Sequence, residues 1–311
     1  MKRLAIALAI GASLLAPVAA QAAQPVIGLA MAQEDTFLTL LKDGVVSAAQ
    51  KDGAKLEIED AQGDVGRQLN QIQNLIANKV SAIIVNPVDT DVTPKITKMV
   101  AAAHIPLVYV NRKPVDLNQL PPDDAFVASD EKVSGTLETE AVCKLLHGKG
   151  KILVLMGDLS QEAARQRTKD IENVIKTPAC SGMKIIDKRE AKWDRTKAEN
   201  IVLNWMSTGM QFNAIIANND EMALGAINGL KAAHKWTPST IVSGIDATPD
   251  GLASMKAGEL KVTVFQNAKG QGAGAMDAAI KLIHHQHVDR FVNVPFQLVT
   301  PANLNQYLHK N

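Results

Sequence analysis

Cysteine is almost absent from this chain: Cys143 and Cys180 are the only two in 311 residues. No Cys-x-x-Cys occurs, so a metal site is not supported and none is expected. The pair leaves two readings open, one disulfide or two unpaired thiols, one buried and one exposed. An excess of either charge is missing too, with 33 Lys+Arg against 32 Asp+Glu. That balance removes the electrostatic reason to expect nucleic acid or an anionic membrane surface as partner. Aromatics make up 4% of the residues against 46% hydrophobic overall, which suits an α/β protein packed with Ala, Val, Ile and Leu. Past the first residues, no apolar run approaches the about 18 uninterrupted residues that a spanning helix needs. The nucleophile elbow G-x-S-x-G and the phosphate loop G-x-x-x-x-G-K-[ST] are both lacking.

What is present begins with a leader. "MKR" is basic, "LAIALAIGASLL" is apolar, and "APVAAQA" offers small residues for cleavage, which together make a signal peptide over residues 1–22. Ala20-Gln21-Ala22 is the best cleavage site, and cutting after Ala20 is the alternative. The apolar run is too short and wrongly flanked for an anchor. The mature protein is therefore expected to be exported and soluble. In an oxidising compartment two lone cysteines gain most by pairing. A Cys143–Cys180 disulfide is expected at the amino-terminal edge of the second half's sheet, away from any ligand.

The remaining length permits two domains of ordinary size. Apolar strand candidates recur with helical patterns between them: "VIGLAM", "KLEIED", "SAIIVN", "LVYVN" and "AFVAS", then "KILVLM", "MKIIDK", "NAIIAN", "TIVSGI" and "KVTVFQ". This alternation predicts βαβ units and parallel sheets. "SAIIVNPVD" and "NAIIANNDE" nearly repeat each other, so both halves follow one plan. The helix "RQLNQIQNLIANK" keeps Leu69, Ile72, Leu75 and Ile76 on one face, a packing stripe without chemistry.

Ligands of open parallel sheets bind outside the carboxyl ends of the strands. Those ends carry Asp35, Asn86 with Asp89, and Asn111-Arg112 in the first half, then Asn219, Asp246 and Gln266 in the second. Turn chemistry accounts for an Asn or Asp taken singly. It does not account for Arg112 or Gln266, nor for amides, acids and bases gathered on one edge of both sheets. Facing edges of this kind make a polar-ligand cleft. Within "NNDE", Asp220 is expected to cap the following helix.

Three patterns carry no function. "GQGAGA" at 270–275 imitates a dinucleotide fingerprint, but follows the last strand with three residues intervening. It is read as small residues that let a helix pack closely. "GDLS" at 157–160 has a Ser near an Asp but no placed His, and "HHQH" at 284–287 is a solvated helix end.

Taken together, "IANNDEMALGA", "GIDATPDG", "AARQRT", "WDRTKAEN" and "VNPVDTD" resemble the ribose- and galactose-binding family of bacterial periplasmic solute-binding proteins, which feed ABC importers. The resemblance runs along essentially the whole mature chain. "YVNRKP", "VTVFQNAKGQG" and "PFQLVTP" look most like the inositol-binding branch. Sugar-responsive repressors share the core but carry a DNA-binding helix-turn-helix where this chain has a leader.

The resemblance implies a type I periplasmic-binding-protein fold: two similar doubly wound parallel-sheet domains joined by a multi-strand hinge. Residues 23–129 with 267–297 would form the first domain, and 130–266 with 298–311 the second. It implies Asp35 as first-strand acid, Phe37 and Trp193 as stacking aromatics, and Asn111 and Arg112 as a polar pair. It further implies Arg165 reaching the ligand from the second domain, with Asn219, Asp246 and Gln266 as remaining contacts. Leu38 stands where the ribose type has a second Phe, which argues against ribose itself. The expected activity is capture of a neutral monosaccharide or cyclic polyol, myo-inositol-like by preference. Hinge closure would precede delivery to an ABC permease by a periplasmic monomer without cofactor. The same cleft serving a chemotaxis or signalling receptor is the alternative. A doubly wound enzyme is the outsider, because no nucleophile–base pair or cofactor loop is found.

Overall fold

Runs such as Ala82–Val85 and Ala214–Ala217 are apolar throughout and fully buried, as strands covered by helices on both faces must be. The computed structural model describes residues 24–311; the expected leader lies outside them. In the first lobe the chain forms β1 (Val26–Met31), α1 (Thr36–Asp52), β2 (Lys55–Asp60), α2 (Val65–Ala77), β3 (Ala82–Val85), α3 (Thr93–Ala102), β4 (Leu107–Val110) and β5 (Asp124–Ala128). It crosses over to form α4 (Glu131–Leu145), β6 (Lys149–Met156), α5 (Glu162–Val174), β7 (Gly182–Glu190) and α6 (Arg195–Ser207). The second lobe continues with β8 (Ala214–Ala217), α7 (Asp220–Ala232), β9 (Ile241–Ser243), α8 (Pro249–Lys256) and β10 (Thr263–Phe265). The chain returns to the first lobe for α9 (Ala268–Ile283) and β11 (Phe291–Asn293), then crosses again to β12 (Gln297–Val299).

The first sheet is parallel with order β11-β5-β4-β3-β1-β2, and the second has order β7-β6-β8-β9. In each, the lobe's first strand lies between its second and third, so both are doubly wound. Side chains of one strand alternate between faces. Ile27 and Leu29 meet Leu41 and Val45 of α1 and Met276 of α9 on one face. Ile83 and Val85 meet Ile72 of α2 and Ile96 of α3 on the other. The second sheet is covered by α6 and α7 through Val202, Trp205 and Ile227, and by α4 and α5 through Val142 and Ile171. Fully burying one such aliphatic side chain contributes about 1.5–3 kcal/mol.

The "GQGAGA" segment is helical and lies within α9. A Cβ on Gly272 would come within 2.2 Å of the Leu41 carbonyl oxygen, and one on Gly44 within 2.5 Å of that of Lys269. The glycines thus let α1 and α9 touch backbone to backbone. Cys143, near the end of α4, and Cys180, in the turn before β7, are disulfide-bonded with Cα atoms 5.8 Å apart. Both belong to the buried cluster where β6 and β7 begin, the end of the sheet opposite the cleft.

One strand departs from expectation. "KVTVFQ" does not simply extend the parallel sheet: β10 pairs antiparallel with β12 and touches the parallel sheet's side through isolated bridges at Ser243–Val262 and Asp246–Phe265. At and just beyond the second bridge, Asp246 and Ala247 take positive φ, 123° and 52°, outside the strand region.

Candidate functional site

Turns that follow β1 and β4, and those that follow β5 to β10, carry polar residues and line one cavity between the lobes. From the first lobe come Asp35, Phe37, Leu38, Asn111 and Arg112; from the second, Glu131, Gln161, Ala163, Arg167, Trp193, Asn219, Glu221, Asp246 and Gln266.

Most of these side chains are fixed by a local task that leaves one polar edge free. Asp35 caps α1, with Oδ1 accepting from Leu38 N at 2.8 Å; such caps satisfy an otherwise unpaired helix N–H. Asn219 caps α7 in the same way, accepting from Met222 N at 3.0 Å. This corrects the expectation for "NNDE": Asn219 both caps and lines the cavity, and Asp220 does neither. Asp220 is buried, and its carboxylate accepts from Thr248 N at 2.8 Å and Thr263 Oγ1 at 2.7 Å, joining α7 to the turn before α8 and to β10. Asn218 is buried behind the wall, its Oδ1 accepting from Gly157 N at 3.1 Å and Thr168 Oγ1 at 3.1 Å.

Asn111 has φ 66°, a left-handed conformation that Asn tolerates, and Nδ2 donates to Gln271 Oε1 at 3.1 Å. Arg112 is buried, and Nη1 donates to the Pro87 and Val88 carbonyls at 2.8 and 3.3 Å. Among the described residues it has no carboxylate within salt-bridge distance. Burial lowers its pKa to about 10, against the pull of Asp35 and Asp158, so it stays charged at neutral pH.

The centre of the site is Arg167, 4% exposed. Its Nε and Nη2 meet the two oxygens of Glu131 at 2.8 and 3.0 Å, a bidentate pair. Nη1 donates to Asn218 O at 2.7 Å, and Nη2 to Gln266 Oε1 at 3.1 Å. The guanidinium carbon lies 5.6 Å from the Trp193 ring centroid and 5.8 Å from that of Phe296. Burial opposes its charge, but Glu131 outweighs this and the pKa lies above the ordinary value. The Asp246 carboxylate sits 3.9 Å from Arg167 Nη1. Burial pushes its pKa well up, against the pull of Arg167. Gln266 Nε2 is buried with no partner among the described residues. A donor and a carboxylate therefore face the cavity short of partners, and leaving such groups unpaired costs about 1–3 kcal/mol each.

Trp193 Nε1 donates to Gln161 Oε1 at 2.9 Å. Its ring lies against Gly157, where a Cβ would come within 2.2 Å of the indole. Phe37 and Trp193 thus supply apolar surface to a cavity otherwise built of amides, acids and guanidinium groups.

Arg165, expected to reach the ligand, is not brought to the cavity, and the strand-end residues Asn86 and Asp89 also lie outside its lining. Arg165 is exposed, with Nη1 donating to Leu159 O at 2.6 Å and Nη2 3.8 Å from Asp91 of the other lobe. At 3.6 residues per turn, positions two apart in α5 point about 200° apart, so only one arginine of "AARQR" can face inward. Lys113 and Glu162, 3.7 Å apart, and Thr90 Oγ1 and Ser160 O, at 3.2 Å, also meet across the mouth of the cleft. Glu131, Gln161 and Phe296 escaped the sequence reading. The strand-end rule, applied after β5 and β6, would have reached the first two. Phe296 lies on the third crossing between lobes, where no periodicity marks it.

The model of the periplasmic binding protein domain matches residues 27–287. A protein of Rhizobium meliloti named for rhizopine binding is 52% identical, over 100% of both chains. An ABC transporter solute binding protein from Bacillus halodurans C-125, solved with bound myo-inositol, is 39% identical with a TM-score of 0.87, covering 93% of this chain and 98% of that one. The ribose import binding protein of Salmonella typhimurium is 30% identical over 96% of this chain and 98% of its own. The fold of this chain matches that of the Bacillus halodurans protein, and the chain belongs to the periplasmic binding protein family.

Proposed function

We propose that the chain is a monomeric, exported binding protein, and not an enzyme, whose cleft captures a neutral cyclic polyol or monosaccharide. A myo-inositol-like ring is favoured. The lobes are taken as 23–129 with 267–297 and 130–266 with 298–311. In the periplasm, after loss of its leader, it would hand the ligand to the permease of an ABC importer.

The observation that carries this reading is the alternation of acceptors and donors around one apolar-flanked cavity. Asp35 and Asp246 offer oxygens, Arg112, Arg167, Asn219 and Gln266 offer N–H groups, and Phe37 and Trp193 offer ring faces. Each hydroxyl of a polyol both donates and accepts, so it fits between one of each kind. The C–H faces of the ring would pack on the aromatics. A missing or inverted hydroxyl leaves a buried partner unpaired, which is how such a site discriminates. The relative with bound myo-inositol supports the choice of ring. Inositol has hydroxyls all round and no anomeric centre, which suits polar groups on every side. A ligand held by both lobes favours their closed arrangement.

Titration of the purified, ligand-stripped protein with myo-inositol, ribose, galactose and rhizopine tests this. Myo-inositol is expected to bind at least about tenfold tighter than ribose, about 1.4 kcal/mol. At 100 times its Kd it would add about 2.7 kcal/mol of stability. Ribose binding equally or more tightly ends the inositol reading. No thermal shift with any polyol or sugar, or turnover of one, ends the binding-protein reading.

A further inference from the structure

The chain after β12 forms a short 3-10 turn at Leu304–Gln306 that packs on the second lobe's core through Leu304 and Tyr307. The Tyr307 ring lies 5.2 Å from that of Phe265 in β10, and its hydroxyl donates to Gln297 Oε1 at 3.0 Å. This brings the segment alongside β10 to the point where β10 gives way to α9. There the side chain of Asn311 uses its whole amide. Nδ2 donates to Gln266 O at 2.9 Å and to Asp246 O at 3.2 Å, and Oδ1 accepts from Ala268 N at 3.0 Å.

Each of these backbone groups matters to the cleft. Asp246 has φ 123°, a conformation that a residue with a Cβ keeps only where its surroundings over-determine it. Its carbonyl is held twice, by Asn311 and by Gln266 N at 3.2 Å. Ala268 is the first residue of α9, and the first N–H groups of a helix have no partner within it. Asn267 caps Gly270 N at 2.8 Å, and Asn311 takes the N–H of Ala268. Gln266 and Ala268 bracket the crossing from the second lobe to the first. The side chains of Asp246 and Gln266 line the cavity.

We infer that Asn311 is a positioning residue for the ligand site, clamping the backbone behind Asp246 and Gln266 and tying it to the start of α9. The inference rests on the proposed role of the cleft. It does not require Asn311 to touch ligand.

Asn311→Ala and Asn311→Asp separate the parts of the clamp. Amide hydrogen exchange and side-chain NMR shifts are measured on the ligand-free protein, and Kd by calorimetry with myo-inositol and the sugar panel. In Asn311→Ala, exchange at Ala268 is expected to quicken about tenfold or more, and the Gln266 carboxamide and Asp246 carboxyl signals to move. Asn311→Asp still accepts from Ala268 N but cannot donate, so Ala268 stays protected while the Asp246 and Gln266 signals move. Both variants are expected to bind about fivefold more weakly or worse, with ligand-free melting temperatures near that of the parent. A residue that only props up the fold would lower the melting temperature and leave Kd unmoved. Unchanged exchange and signals in Asn311→Ala, or an unchanged Kd for a ligand the parent binds, overturns the inference. If the parent binds nothing in the panel, the proposed function fails, and the exchange and shift data still decide whether the clamp exists.

Discussion

Arg165 and Arg167 stand two positions apart in α5, yet one is exposed at the cleft mouth and the other is buried against Glu131. Arg167→Lys keeps a charge but not the planar fork, so calorimetry should show affinity lower by about tenfold or more. Arg165→Ala should change it by less than about threefold, in keeping with the small worth of exposed ion pairs. An Arg165→Ala loss as large as that of Arg167→Lys would refute the assignment of the inward arginine. Glu138 makes a different kind of prediction. It is buried in α4, Oε1 accepts from Ser243 Oγ at 2.7 Å, and Oε2 has no partner among the described residues. Burial raises its pKa from 4.5 to about 8, against the Ser243 hydrogen bond and Arg167, which lower it. A carboxyl with a raised folded-state pKa contributes stability that is full below its unfolded value and lost as pH rises toward the folded one. Between pH 4.5 and 8 the protein should therefore lose stability, and Glu138→Gln should lose less over the same range. Melting curves at several pH values check this, and an unchanged pH slope in the variant would count against a raised Glu138.

The disulfide links α4 to the turn before β7 at a sequence separation of 37. Closing a loop of that size constrains the unfolded chain by about 4 kcal/mol in the chain-entropy model. Changing both Cys143 and Cys180 to Ser should lower stability toward denaturant by up to that amount. Ligand affinity should stay the same, because the bond lies at the end of the sheet away from the cavity. A large loss of affinity in a folded double variant would contradict this. The elements also show where sequence reasoning succeeds. Buried parallel strands such as Ala82–Val85 are continuous apolar runs, and their carboxyl ends must lie on one edge, so Asn111 and Asn219, after β4 and β8, could be placed at the cavity by order alone. Arg167 needed helix phase, since "AARQRT" offers two arginines and only the facing of α5 chooses between them. The double duty of Asn219 needed the φ and ψ of the cap, and β10 needed its antiparallel partner β12, which the pattern of short apolar runs did not reveal. Asn311 was invisible because its three partners are distant in sequence and are backbone groups, which no residue type announces.

For the molecule as a whole, the rim contacts Thr90–Ser160, Lys113–Glu162 and Asp91–Arg165 describe lobes that meet over the cavity. If ligand stabilises this arrangement, small-angle scattering should show a smaller radius of gyration on adding the polyol that binds. An unchanged radius would mean that the lobes are already together without it.

The return of the chain to the first lobe bears on how the protein is made. α1 finds its backbone-to-backbone partner α9, and β5 its neighbour β11, only after most of the second lobe, from α4 to β10, has intervened. Native contacts between segments so distant must close a long loop before they return any stability, and chains with such contacts fold slowly. A chain emerging from one end thus holds its first hydrophobic faces uncovered until nearly all of it is available. Until then those faces stay open to any chaperone that recognises bare apolar strands.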